Sequence, residues 1–483
     1  MPSKYKPKFN VTPLTVALPV QLKNIENLVE GTNLCPDRIK VFLHQIYASW
    51  VFNNLNDKKR ENYFHKNGWV TLSVIRLKIL LTQNYSDYEN FLEGNNIIEI
   101  KRTLSGTKSY VAGYRCTPYR INPILLKPIN GRRFKQDKIH TYKALKAIKI
   151  DQKNFNKELK KIKVKKIIPF CEIHKKMNVM LSNFYFDLDK LDIFIFKVSN
   201  HEIELNRKNI RGIIDSEFMA TNVNKQSYFK PTVCAFGERF HTVFTRLPRE
   251  YRPFLRIKGV AENLCSADIA NCQPFLISLI INHPAIAKLI IPEFAPVLKK
   301  IAQLKLLTAI QFEEECSNGT IYEFWLKNRH DLKNREEAKN EFIKKILFSS
   351  ENYNKKENEF AQLRFKTLFP DVASAISIMK NTNEIELPII KKLFLNKKGK
   401  FPGKSYYHKT ISCMCQRLES RIITGLIVPA LIKQNLGPFL TVHDSIVIPE
   451  SKAEQVKSTI INCFNKLGVK PPKVKTEVFE SVL

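Results

Sequence analysis

The chain has 483 residues, 44% of them hydrophobic, which allows two or three domains with real cores and excludes a disordered protein. Its 79 Lys and Arg against 45 Asp and Glu leave a formal charge of +34, which points to an anionic polymer, phosphate backbone first among them; a generally lysine-rich proteome is the bland alternative. The ten cysteines are scattered, and Cys171-Glu-Ile-His174 and Cys413-Met-Cys415 are too isolated for zinc, so reduced, mostly buried thiols in a reducing, cytoplasmic compartment are expected. The segment MPSKYKPKFN has no apolar signal-peptide core. The most hydrophobic region, Pro274 to Leu298, is interrupted by Asn282, His283, Pro284 and Lys288, and no membrane partner is expected.

In chain order, residues 1–34 lack strong periodicity and read as an N-terminal arm. From Pro36 the pattern is helical, with Ile39, Phe42, Leu43, Ile46, Trp50 and Val51 on one face. Gly68-Trp-Val-Thr-Leu-Ser then opens a second helix carrying Val74, Leu77, Leu80 and Leu81, and Tyr85 to Leu92 makes a third. Two β-like runs follow, Ile97 to Lys101 and Ser109 to Arg115. Three helices and a two-stranded wing over residues 35–125 describe a winged-helix module, similar to those of mobile-element replication proteins. Its third helix carries Asp87, Glu89 and Glu93, which argues against reading bases in a major groove. Lys101, Arg102 and Lys108 of the wing suit phosphate contacts; docking of a replication-protein partner, or a purely structural role, is an equal alternative. Residues 126–230 form a basic connector or thumb-like helical region, densest at Lys160 to Lys166, either a solvated linker or a clamp on duplex backbone.

The last 250 or so residues carry the chemistry. Leu440-Thr-Val-His443-Asp444-Ser445-Ile-Val-Ile448 reads as a hairpin with a carboxylate at its tip, a place suited to a metal, although such a triplet is usually only a turn. Upstream, Cys265-Ser-Ala-Asp268-Ile-Ala-Asn-Cys-Gln273-Pro274 reads as a strand leading into a helix. Between them, Arg335 to Phe348 is an amphipathic basic helix in which Lys344 and Phe348, four residues apart, share a face. Phe236-Gly-Glu-Arg239-Phe-His-Thr, followed by Arg246, Arg249, Arg252 and Arg256, precedes all of these, and the helix His408 to Ser420 precedes the hairpin.

In this order, over residues 231–483, the segments resemble the motifs of family A nucleotidyl polymerases, of the DNA polymerase I type. The resemblance implies an α+β fold: a right-hand polymerase, its palm an antiparallel sheet and its fingers and thumb helical, preceded by the winged-helix domain. Asp268 then matches the first catalytic carboxylate and Asp444 the second. Phosphoryl transfer needs divalent cations held between carboxylates of different strands, so two Mg²⁺ are expected, with Mn²⁺ as a substitute. His443 would orient the primer terminus. Lys344 would hold the triphosphate and Phe348 pack beneath the sugar and base, with Tyr353 nearby; Gln273 stands where the family has its steric-gate Glu. Arg239 and Gln416 would reach the primer-template minor groove, and Arg252, Arg256, His408 and Lys409 would add contacts to nucleic acid. Ser445 replaces the family's Glu, as in single-subunit RNA polymerases. No paired acidic exonuclease motif is evident before residue 230, Asp187-Leu-Asp189 being too isolated, so proofreading is not expected. The expected activity is template-directed DNA synthesis from nucleoside triphosphates on a primer-template, for a phage, plasmid or mobile element. An RNA polymerase or primase on the same palm is the first alternative, and a non-catalytic DNA-binding initiator the second.

Overall fold

The computed structural model describes residues 14–54, 69–102, 116–127, 134–141, 144–147, 167–187, 231–246, 249–349, 356–394 and 401–480, with residues 129, 150, 190, 191 and 194. Residues 1–13, Lys108, Ser109 to Arg115, Lys160 to Lys166 and Tyr353 lie outside these. The described chain is a mixed α+β structure with small antiparallel sheets.

The N-terminal unit begins earlier than its periodicity suggests. Strand β1 (Leu14–Pro19) pairs antiparallel with Phe134–Ile139, Val16 opposite Asp137, and buries Val16 and Leu18 completely. Residues 14–34 are thus part of a packed unit rather than an arm, and the chain after residue 126 returns to complete it. Helix α1 (Pro36–Asn54) packs on this ribbon, the Tyr47 ring 4.4 Å from that of Phe134, and buries Ile39, Phe42, Leu43 and Ile46. Buried Lys40 bridges Glu26 (2.5 Å) and Asp137 (3.0 Å), tying helix to ribbon.

Val70–Ser73, which precedes the second helix, is strand β2 and not the helix's first turn. Ser73 then caps α2 (Val74–Leu80), its hydroxyl accepting from the Arg76 amide. α3 (Tyr85–Gly94) follows, then β3 (Ile98–Ile100) and β4 (Cys116–Ile121), which lies between β2 and β3 in a three-stranded antiparallel sheet. The expected run Ser109 to Arg115 lies outside the described residues, and the described strands form a three-stranded sheet. Two of the acids of α3 are engaged within the unit: buried Glu89 accepts from the Tyr119 hydroxyl, and Glu93 pairs with Arg102.

The C-terminal region is built on a four-stranded antiparallel sheet. β5 (Leu264–Ile269) is central, flanked by β7 (Ser445–Pro449) and β8 (Val474–Val478), with β6 (Leu440–Val442) outside β7. Cys265, Ala267 and Ile269 point to the face that meets α4 (Cys272–Asn282) and α8 (Ala453–Lys466), where the Phe275 and Phe464 rings cross edge-on at 5.3 Å. Because α4 is enclosed on all sides, its residues from Phe275 to Ile281 are apolar all round except Ser278, whose hydroxyl donates to the Phe275 carbonyl (2.8 Å). The interruptions foreseen from Asn282 onward end it: the chain bends by 110° into Pro284–Ile290, and no single described helix is long and apolar enough to cross a membrane.

The remaining helices pack beyond α4. α5 (Arg335–Glu341) runs into a π-turn, Phe342–Leu347; Phe342, Phe365, Phe369, Phe312 and Trp325 form an aromatic cluster behind it. Pro370 starts α6 (Pro370–Asn381), and α7 (Lys409–Ile422) returns along α4 toward the sheet.

Candidate active site

The hairpin predicted around His443-Asp444 forms as read, with Val442 paired to Ser445 and a two-residue loop between. Its first loop residue, His443, is left-handed (φ 57°), a conformation that Asn, Asp and His tolerate better than most side chains. The Ser445 hydroxyl donates to the Val442 carbonyl (3.0 Å) and is buried, so this side chain closes the turn instead of facing the cleft.

The sheet register brings the two carboxylates together. Asp268 is the Cα partner of Ser445, and the next amide, Ile269, donates to the Asp444 carbonyl (3.4 Å). Both residues are half-buried. Loss of bulk water and the neighbouring Asp444 charge push Asp268 up to about 7, against the opposing charges of Arg252 and Lys339. Asp444 is raised for the same first reason, enclosure, while a backbone hydrogen bond, His443, Arg239 and the Cys272 thiol favour its charged form. Enclosure and the Arg239 charge keep His443 below its usual range, hence neutral at pH 7.

Immediately after β5, Asn271 is left-handed (φ 51°) and turns the chain into α4; its Oδ1 accepts from Arg335 (3.1 Å) at the start of α5. That contact fixes the helix with its Lys339 one turn further on, and Lys339 is the lysine whose charge acts on Asp268. Lys344 is exposed, and Phe348 is part-buried against the core as the cap of the π-turn. The Phe348 amide bonds to Ile343, five residues back, so the four-residue spacing expected to align Lys344 and Phe348 does not apply there. The Arg335 and Lys339 pair escaped the sequence reading, although its four-residue spacing at a helix start was a visible signal.

Gln273 lies in the first turn of α4, where its carbonyl accepts from the Cys415 thiol (3.8 Å). Arg239 is held by Glu419 through two bonds, 2.8 and 2.6 Å, and is therefore engaged inside the protein in this structure. Arg252 stacks over Phe479 (5.9 Å), and its charge reaches Asp268 and Asp444; burial and neighbouring Arg249 lower its pKa. Arg256 donates to the Pro253 and Leu255 carbonyls (2.7 and 2.8 Å), which caps its own turn. Gln416 donates to Ser412 (3.1 Å) and covers Gly237. His408 precedes α7 with its pKa lowered by burial and by Lys409, and the Lys409 ammonium sits over the Tyr406 ring (3.1 Å).

The Phe236 to Arg239 turn and α7, singled out separately in the sequence, are locked to each other. Arg417 donates to the Ala235 and Phe236 carbonyls (2.7 and 3.0 Å) and Ser420 to that of Glu238 (2.7 Å). The Glu238 carboxylate accepts from Arg421 (2.8 and 2.9 Å), and Glu293 joins Arg417 and Arg421.

Among the described residues no cluster of three or more His, Cys, Asp or Glu is arranged to hold a metal. The cleft therefore offers two carboxylates and a set of cations around them, a donor set that suits a hard, oxygen-seeking cation completed by substrate phosphates rather than a closed structural site. Neither the family models nor the curated proteins compared with this chain match it.

Proposed function

We propose that the chain is a template-directed nucleotidyl transferase of the family A type, a DNA polymerase without proofreading, with the four-stranded sheet as its palm. The observation that carries this reading is that Asp268, near the end of its strand, is paired with Ser445 and so stands beside Asp444, each half-buried and near enough that Asp444 hinders ionisation of Asp268. Two carboxylates kept close at a cost in desolvation fit a polycation site, because bound cations would relieve both enclosure and repulsion. Asp268 and Asp444 would hold two Mg²⁺. When bound, these would lower the pKa of a primer 3′-OH and neutralise the departing pyrophosphate.

The chain's own groups complete the arrangement. Lys339, at the Arg335-anchored end of α5, supplies a positive charge for a triphosphate on the Asp268 side. Arg252, desolvated against Phe479, adds a second cation beside both carboxylates. His443, at the hairpin tip with its pKa lowered, is available to orient a primer terminus by hydrogen bonding. Gln273, in the first turn after the strand that carries Asp268, is the residue proposed to crowd a ribose 2′-OH.

For the N-terminal unit, the order helix, strand, two helices, two strands, with β4 between β2 and β3, supports a winged-helix reading. The third helix carries no Lys or Arg and its Glu93 pairs with Arg102, which argues against base reading and favours docking of a replication partner. The pairing of such a module with a palm supports a role in replicating a phage, plasmid or other mobile element.

The test is extension of a labelled primer on a template with Mg²⁺ and either deoxy- or ribonucleotides. Wild type is expected to extend with deoxynucleotides, and Asp268→Ala and Asp444→Ala to lose on the order of 10³-fold or more of that rate. Extension with ribonucleotides alone would replace the DNA polymerase with an RNA polymerase or primase. Unchanged synthesis by both variants would remove the palm assignment.

A further inference from the structure

The chain leaving β5 enters α4 through Asn271, which stands at the helix's N-cap without capping it. A capping carboxamide accepts from the second or third amide of its own helix, and the Asn271 side chain makes no such bond. Its Oδ1 accepts instead from Arg335 Nη2 (3.1 Å), 64 residues along the chain, and its Nδ2 is buried without a hydrogen-bond partner among the described residues. The backbone does not require a carboxamide either. Asn271 is left-handed (φ 51°), a conformation that glycine takes with no polar group to bury. Turn and cap thus leave this side chain one use, its hold on Arg335.

Arg335 opens α5 and is clamped from three sides: by Asn271, by the Glu323 carboxylate on its Nε (2.6 Å), and by the buried Tyr322 ring under its guanidinium (5.2 Å). Its side chain is still 42% exposed, and Nη1 keeps its donors for a ligand. Exposed Lys339 follows one helical turn later on the same face. Asn271 is three residues beyond Asp268, so chain length alone keeps their Cα atoms within about 11 Å. A guanidinium fork and an ammonium on one open face, anchored that close to a metal-binding carboxylate, match the oxygens of a triphosphate whose reacting end lies at the metals. We propose that Asn271 is a positioning residue for the incoming nucleoside triphosphate: by holding Arg335 it sets the Arg335 and Lys339 face of α5 at a fixed distance from Asp268. This role rests on the nucleotidyl-transfer reading above and adds to it a residue that acts through Arg335.

The experiment measures incorporation of one complementary nucleoside triphosphate by the full-length protein on a primer-template with Mg²⁺, giving kcat and KM for wild type, Asn271→Gly, Arg335→Ala and the double variant, with Tm recorded for each. Glycine keeps the left-handed turn. Asn271→Gly is therefore expected to hold Tm and the KM for primer-template while raising the KM for nucleotide by about tenfold, the scale of one hydrogen bond to a charged group. In the Arg335→Ala background the glycine substitution is expected to add nothing, because the residue it acts through is gone. An unchanged nucleotide KM in Asn271→Gly, an equal rise in both backgrounds, or a lowered Tm with kcat and both KM values moving together overturns the positioning role while leaving the polymerase reading standing. A wild type that incorporates no nucleotide overturns that reading and the positioning role together.

Discussion

Asp268 keeps its proton in the folded chain well above the pH at which an unfolded aspartate loses it, about 7 against 3.8, because enclosure and Asp444 both oppose the charge. Between those values the folded state binds more protons than the unfolded one, so this residue's contribution to stability falls as pH rises through the window. A divalent cation reverses the sign of the local cost by stabilising the ionised pair. Without metal, thermal melts are expected to show Tm declining from about pH 5 to pH 8 more steeply in wild type than in Asp268→Asn. Mg²⁺ should raise wild-type Tm more at the upper end of that range than at the lower. A Mg²⁺ effect of equal size at both ends, or one retained in Asp268→Asn, would mean that the pair does not bind the ion. The same residue scale shows what a motif conceals. Ser445 was legible as a departure from the family pattern, but its hydroxyl closes the turn on Val442, a role only the hairpin geometry reveals.

At the scale of elements, the strongest local signals formed: the hairpin, the strand into α4, and the helix read over His408 to Ser420, found at Lys409–Ile422. They carry apolar runs or helical periods that hold within one element. Leu14–Pro19 and Val70–Ser73 were missed because a short strand is decided by its partner, here Phe134–Ile139 and Cys116–Ile121, far along the chain. The π-turn was missed for a related reason. Its loosened carbonyls are taken by groups outside the segment, Gln362 to Lys345 (3.1 Å) and buried Lys380 to Ile346 (2.6 Å). One contact between elements yields a direct prediction. A Cβ at Gly237 would stand 2.5 Å from Gln416 Oε1 and 2.7 Å from its Cβ, so glycine is required by the close approach of the turn to α7. Gly237→Ala is expected to destabilise the C-terminal region by about 1–3 kcal/mol through overpacking, read as a lowered Tm. An unchanged Tm would show that Gln416 can swing clear.

For the whole molecule, the formal charge of +34 bears on partners rather than on fold. If its partner is a nucleic acid, affinity for a primer-template measured by fluorescence anisotropy should fall linearly in log K against log salt between about 50 and 200 mM, with a slope of about −0.9 per phosphate neutralised. A flat dependence would assign the charge to another role. Composition, charge and the order of motifs were readable from the chain alone, since each depends on residue identity or on periodicity within one element. So were the two carboxylates as candidates, because each stands at the edge of an apolar run. What the tertiary structure decided is who meets whom: Asp268 with Asp444 through the register of β5 and β7, Lys339 rather than Lys344 through the anchoring of Arg335 on Asn271, and Arg239 with Glu419 across 180 residues. Side-chain partnership over such separations is set by strand register and helix packing, which no local pattern encodes, and it is there that the candidate site acquired its cations and its enclosure.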